Sequence, residues 1–386
     1  MALPTSESAT ASPATDAPRL LIVADDLTGA CDAAVAFTGH TDPVHVDLAG
    51  ALPSGPGIAA ISTSSRDLPP AEAHARLAAL ASHLSPATEV FKKIDSVFRG
   101  NTFAEILSAI ELFPAALVIL APAYPAVGRR LHDGVLHIQH PSETQTLPIA
   151  STLLDRGCRL ERIASGLLPD ALAHKLRQAL ARGRKVFLCD ATDQPHLEAV
   201  VQAVRSLQTR TLWIGSGGLA HALSSEAPSK PVATPSPPRP GHTVFFIGSD
   251  HPVTSEQVRY FQQKSTLKPT LCSSFDAISH HDLLLYVLRE RTLKEHIQAS
   301  LAHLDPLQTA CLFMTGGDTA LFVCHALQIT SLRLTHEFAP GVPLGIAEGG
   351  PFHGTPVILK SGGFGEPHLI SNIFNAFSRK ADPLLQ

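Results

Sequence analysis

Short apolar runs alternate with amphipathic segments along most of this chain. Runs rich in Leu, Ile and Val, each followed by helical periodicity, are typical of βα units that build a parallel sheet with helices on both faces. In the first part the pattern predicts strands at 20–24, 58–62, 90–94, 117–121, 185–189 and 211–214, and helices at 30–37, 70–84, 102–112, 168–182 and 194–207. In the last part it predicts strands at 243–247, 312–315 and 357–360, and helices at 254–264, 293–304, 319–327 and 368–378.

A proline-rich segment divides the chain. Residues 227–241 read APSKPVATPSPPRPG, and such repeated prolines exclude a helix or a central strand, so we expect an extended linker. The flanking stretches, 19–226 and 242–386, are each long enough for one domain. Residues 1–18 are rich in Ser, Thr, Ala and Pro, and we expect a disordered leader. The predicted fold class is α/β, with two domains, each a largely parallel sheet flanked by helices, and an interdomain active-site cleft.

Composition excludes several classes of function. The chain has 30 Lys and Arg against 34 Asp and Glu, a formal net charge of -4, which argues against nucleic acid as a partner. Its apolar stretches are too short to cross a membrane and its start lacks a secretory signal, so we expect a cytoplasmic protein. The six cysteines form no CxxC pair and the 20 histidines no HExxH pair, so the metal ligands are not identified by the sequence.

The first predicted strand ends on two adjacent carboxylates, Asp25 and Asp26, followed by Leu27, Thr28 and Gly29. A buried strand that runs into a tight turn and a helix directs such groups to the carboxyl edge of the sheet, where open α/β folds place their chemistry. They are therefore candidate catalytic residues. The alternative is that Asp26 or Thr28 only caps the helix and that Asp25 is solvated.

A second polar cluster follows the strand predicted at 90–94. Residues 91–101 read FKKIDSVFRGN, and Lys92, Lys93, Asp95, Ser96, Arg99 and Gly100 are candidate substrate ligands. Cationic donors together with a carboxylate and a hydroxyl suit a small polyhydroxy carboxylate. The alternative is a solvated turn in which Ser96 or Asn101 caps the next helix.

Glycine turns are concentrated in the last part of the chain. They lie at 248–252, 316–319, 345–350 and 361–365. Backbone N–H groups of glycine turns approach anions closely, and a following helix adds its positive end, so these turns are candidate phosphate cradles. For any single turn the alternative is tight packing between a strand and a helix.

Residues 215–220 (GSGGLA) match the loose G-x-G-x-x-A dinucleotide fingerprint, which keeps a nicotinamide-dependent oxidoreductase of acid sugars as an alternative. The acidic residue expected about twenty residues later would fall in the proline-rich linker. The chain has no GxxxxGK[ST] segment and no GxSxG elbow. A non-catalytic sensor of sugar acids is a further alternative, since it would need no phosphate-binding turns.

Taken together, these segments resemble the four-carbon acid sugar kinase family, whose members are ATP-dependent kinases of tetronates and related oxo-acids. The matching segments are 24–30 (ADDLTGA), 92–96 (KKIDS) with 99–101 (RGN), 121–125 (APAYP) with 128–129 (GR), 215–220, 315–320 (TGGDTA), and 340–343 (PGVP) leading to 360–365 (KSGGFG). The resemblance departs at Val97 and Phe98, where we expect a Thr-Leu pair. Residues 275–307 align with no motif, so adenine recognition is unassigned.

The resemblance implies that the N-terminal domain binds the acid sugar and the C-terminal domain binds ATP. It places Asp25, Asp26, Lys93, Asp95, Ser96 and Arg99 on the acid-sugar side, and Ser249, Gly316, Gly317, Asp318, Thr319, Gly362 and Gly363 on the nucleotide side. The Asp95-Ser96 and Arg99-Gly100 pairs resemble the threonate or erythronate branch more than the oxo-tetronate branch.

The mechanism predicted from the sequence is a phosphoryl transfer. Arg99 with Lys92 or Lys93 clamps the substrate carboxylate, and Asp25 or Asp26 accepts the proton of the terminal hydroxyl. That hydroxyl attacks the γ-phosphorus of ATP and gives the 4-phosphate. We expect Mg2+ and the glycine-turn amides to neutralise the phosphate charge. The sequence does not determine the oligomeric state, and a homodimer is compatible with it. The sequence does not identify the tetronate or its stereochemistry.

Overall fold

The structure is a computed structural model that describes residues 17–39, 44–48, 50, 57–140, 143–225, 241–264, 271–272, 283–287, 301 and 304–377, with the backbone alone at 271–272 and 283–287. Its strands are β1 (Leu20–Ala24), β2 (Val44–Asp47), β3 (Ile58–Ser62), β4 (Glu89–Lys93), β5 (Leu117–Ala121), β6 (Arg129–His132), β7 (Val135–Gln139), β8 (Thr144–Pro148), β9 (Leu160–Ile163), β10 (Val186–Cys189), β11 (Thr211–Gly215), β12 (His242–Ile247), β13 (Leu271–Cys272), β14 (Leu283–Val287), β15 (Thr309–Thr315), β16 (Ser331–Ala339), β17 (Val342–Glu348) and β18 (Pro356–Lys360).

The α-helices follow the strands in the alternation that the sequence predicts. They are α1 (Leu27–Ala34), α2 (Pro70–Ser82), α3 (Thr102–Leu112), α4 (Ile149–Asp155), α5 (Pro169–Ala181), α6 (Gln194–Arg205), α7 (Gly217–Ser224), α8 (Pro252–Lys264), α9 (Gly317–Ala326) and α10 (Leu369–Phe377). Single 3-10 turns lie at Val35–Phe37, Pro125–Val127 and Pro306–Gln308. In the part of the chain that the structure describes, no helix combines the length and hydropathy needed for a membrane span.

Fifteen of these strands form one sheet that runs through both parts of the molecule. The N-terminal part contributes β2-β3-β1-β4-β11-β5-β10-β9, in which all neighbouring strands are parallel. The C-terminal part contributes β13-β14-β12-β15-β18, also parallel, followed by the antiparallel strands β17 and β16. The two parts join where β16 pairs antiparallel with β2, from Ser331 opposite Asp47 to Leu334 opposite Val44.

Both faces of the central strands are covered. All five residues of β1 are buried, as the unbroken apolar sequence LLIVA requires of a parallel strand between two helical layers. The largest apolar cluster includes residues of both parts, among them Phe91, Trp213 and Leu332, so one core extends across the joined sheet. A second cluster, around Phe245 and Phe313, lies under α8 and α10.

The α/β class is confirmed, and each strand predicted from the apolar runs is present. The bounds predicted for β1, β3 and β5 match those of the structure, and the ends of the other predicted strands shift by up to three residues. The helix predicted at 30–37 instead begins at Leu27 and gives way to a 3-10 turn after Ala34. The sequence pattern does not predict the strands β2, β6 to β9, β13, β14, β16 and β17. The leader, the linker at 227–241 and the helix at 293–304 lie almost wholly outside the described residues.

Candidate active site

A partly buried arginine, Arg66, joins the two predicted catalytic groups. Asp25 and Asp26 follow β1, and Arg66 lies in the loop after the neighbouring strand β3. Arg66 Nε and Nη2 donate to the two carboxylate oxygens of Asp25, at 2.7 and 3.0 Å, and Nη1 donates to Asp26 Oδ2 at 2.5 Å. Burial would lower the pKa of Arg66, but the charges of Asp26 and Asp25 raise it above its ordinary value. The arginine is therefore a fixed positive centre between the two carboxylates.

Asp26 is both a helix cap and a member of this charged cluster. Its Oδ1 accepts a hydrogen bond from the Gly29 backbone at 2.7 Å, and its Oδ2 accepts one from Thr28 Oγ1 at 2.9 Å. The capping alternative therefore holds for Asp26 without excluding chemistry. The solvated alternative for Asp25 is wrong, since the residue is 3% exposed and paired with Arg66.

Asp95 adds a third carboxylate after β4, the other neighbour of β1. Its Oδ2 accepts from Arg99 Nη2 at 2.6 Å and lies 3.4 Å from Arg66 Nη2, while its Oδ1 accepts from the backbone of Val97 and of Arg99. Burial alone would raise the pKa of Asp95, but the two arginines hold it below its usual range. Asp95 thus stays ionised and fixes the turn that also contains the buried Ser96.

The RGN segment positions the Arg66 loop. Gly100 has a φ of +61°, and a Cβ there would collide with the Arg66 carbonyl oxygen, so glycine is required twice over. Asn101 Nδ2 donates to the carbonyl oxygens of Ser65 and Leu68. Gly100, predicted as a substrate ligand, therefore acts in this structure as part of the scaffold of Arg66. Sequence reasoning missed Arg66, whose only signal is its position after the predicted strand at 58–62.

The two lysines of β4, Lys92 and Lys93, have different acidic partners, because successive strand residues point to opposite faces of the sheet. Lys93 Nζ lies 3.3 Å from Asp32 Oδ2, and Tyr124 Oη donates to Asp32 Oδ1 at 3.4 Å. Burial raises the pKa of Asp32 although Lys93 opposes the shift. Asp32 is a further acidic group that sequence reasoning missed; it lies one helical turn after Thr28.

Lys92 is not available as a substrate ligand. Its Nζ lies 2.6 Å from Glu105 Oε2 on α3 and donates to the Lys93 carbonyl, and its side chain is fully buried. Ser65 donates to the other Glu105 oxygen. The Lys92–Glu105 pair therefore anchors the loop that contains Arg66, through the hydrogen bond from Ser65 to Glu105. The structure gives no support for the predicted role of Lys92 in a carboxylate clamp.

Three of the four glycine turns meet at the carboxyl ends of three neighbouring strands, β12, β15 and β18. A Cβ at Gly248 would collide with Thr319, and one at Gly362 would collide with Ser249 Oγ. Gly316, with a φ of +90°, precedes α9. This packing brings the predicted nucleotide residues Ser249, Gly316, Gly317, Asp318, Thr319, Gly362 and Gly363 to one edge of the sheet.

A buried lysine holds the turn at 361–365. Lys360 Nζ donates to Thr254 Oγ1 at 2.9 Å and to the carbonyl oxygens of Ser361 at 3.1 Å and Gly362 at 2.9 Å. Burial lowers the pKa of Lys360 to about 7. Gln257 Nε2 donates to three carbonyl oxygens of the same turn, at residues 364 to 366. Lys360 of β18 and the α8 side chains of Thr254 and Gln257 thus fix the backbone that is predicted to face phosphate.

Two glycine segments differ from their predicted roles. Gly345 lies inside β17, and Gly349 and Gly350 pack against residues 327 to 330, so 345–350 is a hairpin strand and its end rather than a cradle after a strand. In the fingerprint segment, a Cβ at Gly217 would collide with the Tyr124 ring and one at Gly218 with the Ala123 carbonyl. These glycines accommodate close packing, which explains the fingerprint without a dinucleotide.

The two sets of loops face each other across the join. A Cβ at Gly317 would lie 2.6 Å from Asp26 Oδ2. Phe364, in the turn at 361–365, packs edge-on against Tyr124, with centroids 6.1 Å apart. Burial, then the charges of Lys360 and Arg99, lower the pKa of His251. The acidic cluster and the glycine turns therefore form one site.

Known proteins carry the same two-part arrangement. Residues 20–223 match the family model described as a sugar-binding N-terminal domain, and residues 287–370 match the one described as a nucleotide-binding C-terminal domain. Solved structures from Salmonella typhimurium LT2 and Haemophilus influenzae share the fold, with TM-scores of 0.70 and 0.65 and identities of 20% and 19%. They cover 94% and 92% of this chain and 100% of their own.

Curated relatives align over nearly the whole chain. A D-threonate kinase of Bordetella bronchiseptica is 31% identical, over 92% of this chain and 96% of its own. A D-threonate kinase of Cupriavidus necator is 30% identical, over 94% and 99%. A D-erythronate kinase of Heliobacterium modesticaldum is 24% identical, over 89% and 93%. Together with the two domain matches, these relatives confirm the resemblance found in the sequence, and the chain belongs to the four-carbon acid sugar kinase family.

Proposed function

We propose that this protein is an ATP-dependent kinase that phosphorylates the terminal hydroxyl of a four-carbon acid sugar, of the threonate or erythronate type, to give the 4-phosphate. The observation that carries the proposal is the approach of Asp26 to Gly317, where the acidic cluster of one part meets a glycine turn of the other. The names of the relatives, D-threonate kinase and D-erythronate kinase, support the substrate class.

The proposed base is one of the two carboxylates after β1. Asp26 lies against the glycine turn at 316–319, so we assign it the proton of the attacking hydroxyl. Asp25 is held by two hydrogen bonds from Arg66, and we assign it to the positioning of substrate hydroxyls. Arg66 pairs with both carboxylates, at 2.7 Å from Asp25 Oδ2 and 2.5 Å from Asp26 Oδ2, and so holds them in place beside each other.

The acid sugar is proposed to lie beside Lys93, Asp95, Ser96 and Arg99. The Arg99 side chain is 47% exposed although it pairs with Asp95, so part of its guanidinium remains open to a ligand. An arginine fork suits a carboxylate because it donates two parallel hydrogen bonds. Arg99 is thus retained as one cation of the carboxylate clamp.

ATP is proposed to bind at the three glycine turns, with its phosphates toward Ser249, the 316–319 turn and Gly362-Gly363. Backbone N–H groups at the start of α9 provide a positive helix end for the phosphates. Glycine at 248, 317 and 362 lets these turns pack closely, since a Cβ there would collide with Thr319, Asp26 and Ser249 respectively.

Magnesium would act here with the nucleotide. Within the described residues, no group of three or more His, Cys, Asp or Glu side chains could hold a metal ion by itself. Mg2+ in phosphoryl-transfer sites needs only one or two carboxylates, since phosphates and water complete its shell. The exposed carboxylate of Asp318, in the first turn of α9, fits that requirement. When bound, the ion would neutralise phosphate charge.

The proposal is tested by measuring ADP release with D- and L-threonate, D- and L-erythronate and their 3-oxo forms. We expect ADP release that depends on one or more of the threonates or erythronates and on Mg2+. A parallel thermal-shift comparison should show stabilisation by Mg-ATP and none by NAD. The absence of ADP release with all four acids and with both enantiomers of the 3-oxo acid would overturn the proposed function.

A further inference from the structure

Arg129 is a buried arginine of the sugar-binding part that has no anionic partner among the described residues. Arg129 begins β6, directly after the turn at 125–127, and is 8% exposed. One of its terminal nitrogens donates to the Val127 carbonyl oxygen, and its Nε has no hydrogen-bond partner among the described residues. No carboxylate of the described chain lies within ion-pair distance of its guanidinium.

The cations beside Asp25, Asp26 and Asp95 that are proposed to line the acid-sugar site are each paired with a carboxylate. Arg66 is paired with Asp25 and Asp26, Lys93 with Asp32, and Arg99 with Asp95, each across 3.3 Å or less. An unpaired buried charge is costly, and proteins rarely retain one that nothing neutralises. Arg129 therefore has the character of a group whose partner arrives with a ligand.

The surroundings of Arg129 place it between the two halves of the site. Its guanidinium lies 5.5 Å from the ring centroid of Phe364, which belongs to the glycine turn at 361–365. Burial lowers the pKa of Arg129; Asp95 opposes this shift and the like charge of Arg99 adds to it. Two guanidinium groups within electrostatic range of each other form a natural site for one small anion.

We infer that Arg129 binds the carboxylate of the acid sugar and is the second cation of the clamp, together with Arg99. This inference rests on the proposed function. It assigns to Arg129 the role predicted from the sequence for Lys92 or Lys93, both of which have acidic partners in the structure. The carboxylate is favoured over a nucleotide phosphate because of where Arg129 lies. It belongs to the sugar-binding part and is within electrostatic range of Asp95, one of the residues proposed to lie beside the acid sugar.

The contact with Phe364 gives the clamp a second consequence. Phe364 shares a turn with Gly362 and Gly363, and its ring also packs against Tyr124. A carboxylate bound to Arg129 would thus fix the Arg129 guanidinium, which stacks on the Phe364 ring of the proposed nucleotide turn. Arg129 then acts as a specificity-determining residue, selecting acids over neutral four-carbon polyols.

The test is isothermal titration of D- and L-threonate and of D- and L-erythronate into wild type, Arg129→Gln, Arg129→Lys and Arg130→Gln. Arg130 is the matched control, because it lies on the same strand with its side chain exposed and donates to the Thr192 carbonyl. We expect Arg129→Gln to weaken acid-sugar binding by about 10- to 100-fold, the usual range for losing a charged hydrogen-bond partner. Arg129→Lys should lose less, and Arg130→Gln and Mg-ATP binding should be unchanged.

The outcomes separate this inference from the proposed function. Wild type that binds an acid sugar while Arg129→Gln binds it equally well would overturn the inference alone. Wild type that binds no acid sugar would overturn the proposed function and the inference with it. If Arg129→Gln fails to fold, the comparison rests on Arg129→Lys, for which unchanged affinity would overturn the inference.

Discussion

Gly317, at the first position of α9, lies so close to Asp26 that a Cβ on the glycine would be 2.6 Å from the Asp26 carboxylate. The two residues are almost 300 positions apart and belong to different parts of the chain. Their contact brings the end of β1 to the start of α9, and so brings the proposed base to the proposed phosphate turn. The first predictions concern this contact.

Replacing Gly317 with alanine should damage catalysis more than folding. The new methyl group must displace either the Asp26 carboxylate or the start of α9, and misplacement of about 1 Å can cost about 10²-fold in rate. We expect kcat/KM to fall by at least about tenfold. Gly39→Ala is the matched control, since a Cβ at Gly39 meets no atom within 4 Å. Equal activity of the two variants would contradict the close contact.

Replacing Asp26 with asparagine should lower kcat while leaving the helix cap in place. Asparagine caps helices as well as aspartate does, so the α1 start is retained. A positioned base contributes about 10²- to 10⁴-fold, and we expect kcat to fall by that factor. Asp25→Asn should chiefly raise the KM for the acid sugar. Steady-state kinetics and thermal unfolding check both expectations, and wild-type kcat in both variants would exclude either carboxylate as the base.

The Lys92–Glu105 pair should be needed for stability and not for substrate contact. Removing one partner of a buried ion pair leaves an uncompensated charge and costs about 3–5 kcal/mol. We expect this loss for Lys92→Met by chemical denaturation, and partial recovery when Glu105→Leu is added. A Lys92→Met protein of normal stability with a raised KM for the acid sugar would restore Lys92 to the substrate site.

Lys360 should make stability depend on pH. Burial lowers its pKa from 10.5 to about 7, so between these values the unfolded chain binds more protons than the folded one. Stability contributed by this group therefore rises with pH across that window. We expect the free energy of unfolding of wild type, relative to Lys360→Met, to rise by about 1 kcal/mol per pH unit between about pH 7 and 10. Urea denaturation measures it, and a flat or falling difference would contradict the lowered pKa.

The parts of the site at strand ends could be predicted from the sequence. The strands β1, β15 and β18 are apolar or nearly apolar runs, and β4 has an apolar centre at Val90 and Phe91. The polar residues after these strands must lie at the same edge of a parallel sheet. That geometry is enough to group Asp25, Asp26, Asp95 and the glycine turns before any contact is known.

The remaining parts of the site and fold depend on long-range packing, which the local pattern of apolar and polar residues does not predict. Arg66 is separated from Asp25 by 41 positions, and only the order of β3, β1 and β4 brings them together. Lys92 and Lys93 alternate across the strand, but which of them faces the cleft depends on how the sheet is covered. The pairing of β2 with β16 joins a four-residue strand to a nine-residue one, and neither sequence gives a sign of its partner.

The most direct test of the proposed function is phosphorus-31 NMR of wild-type protein incubated with Mg-ATP and, in parallel samples, D-threonate, L-threonate, D-erythronate and L-erythronate. We expect a new phosphomonoester signal coupled to the C4 protons of at least one acid, formed in step with ADP. An Asp26→Asn sample should form it more slowly by about 10²-fold or more. ATP left intact in every wild-type sample, or consumed only to inorganic phosphate, would contradict the proposed function.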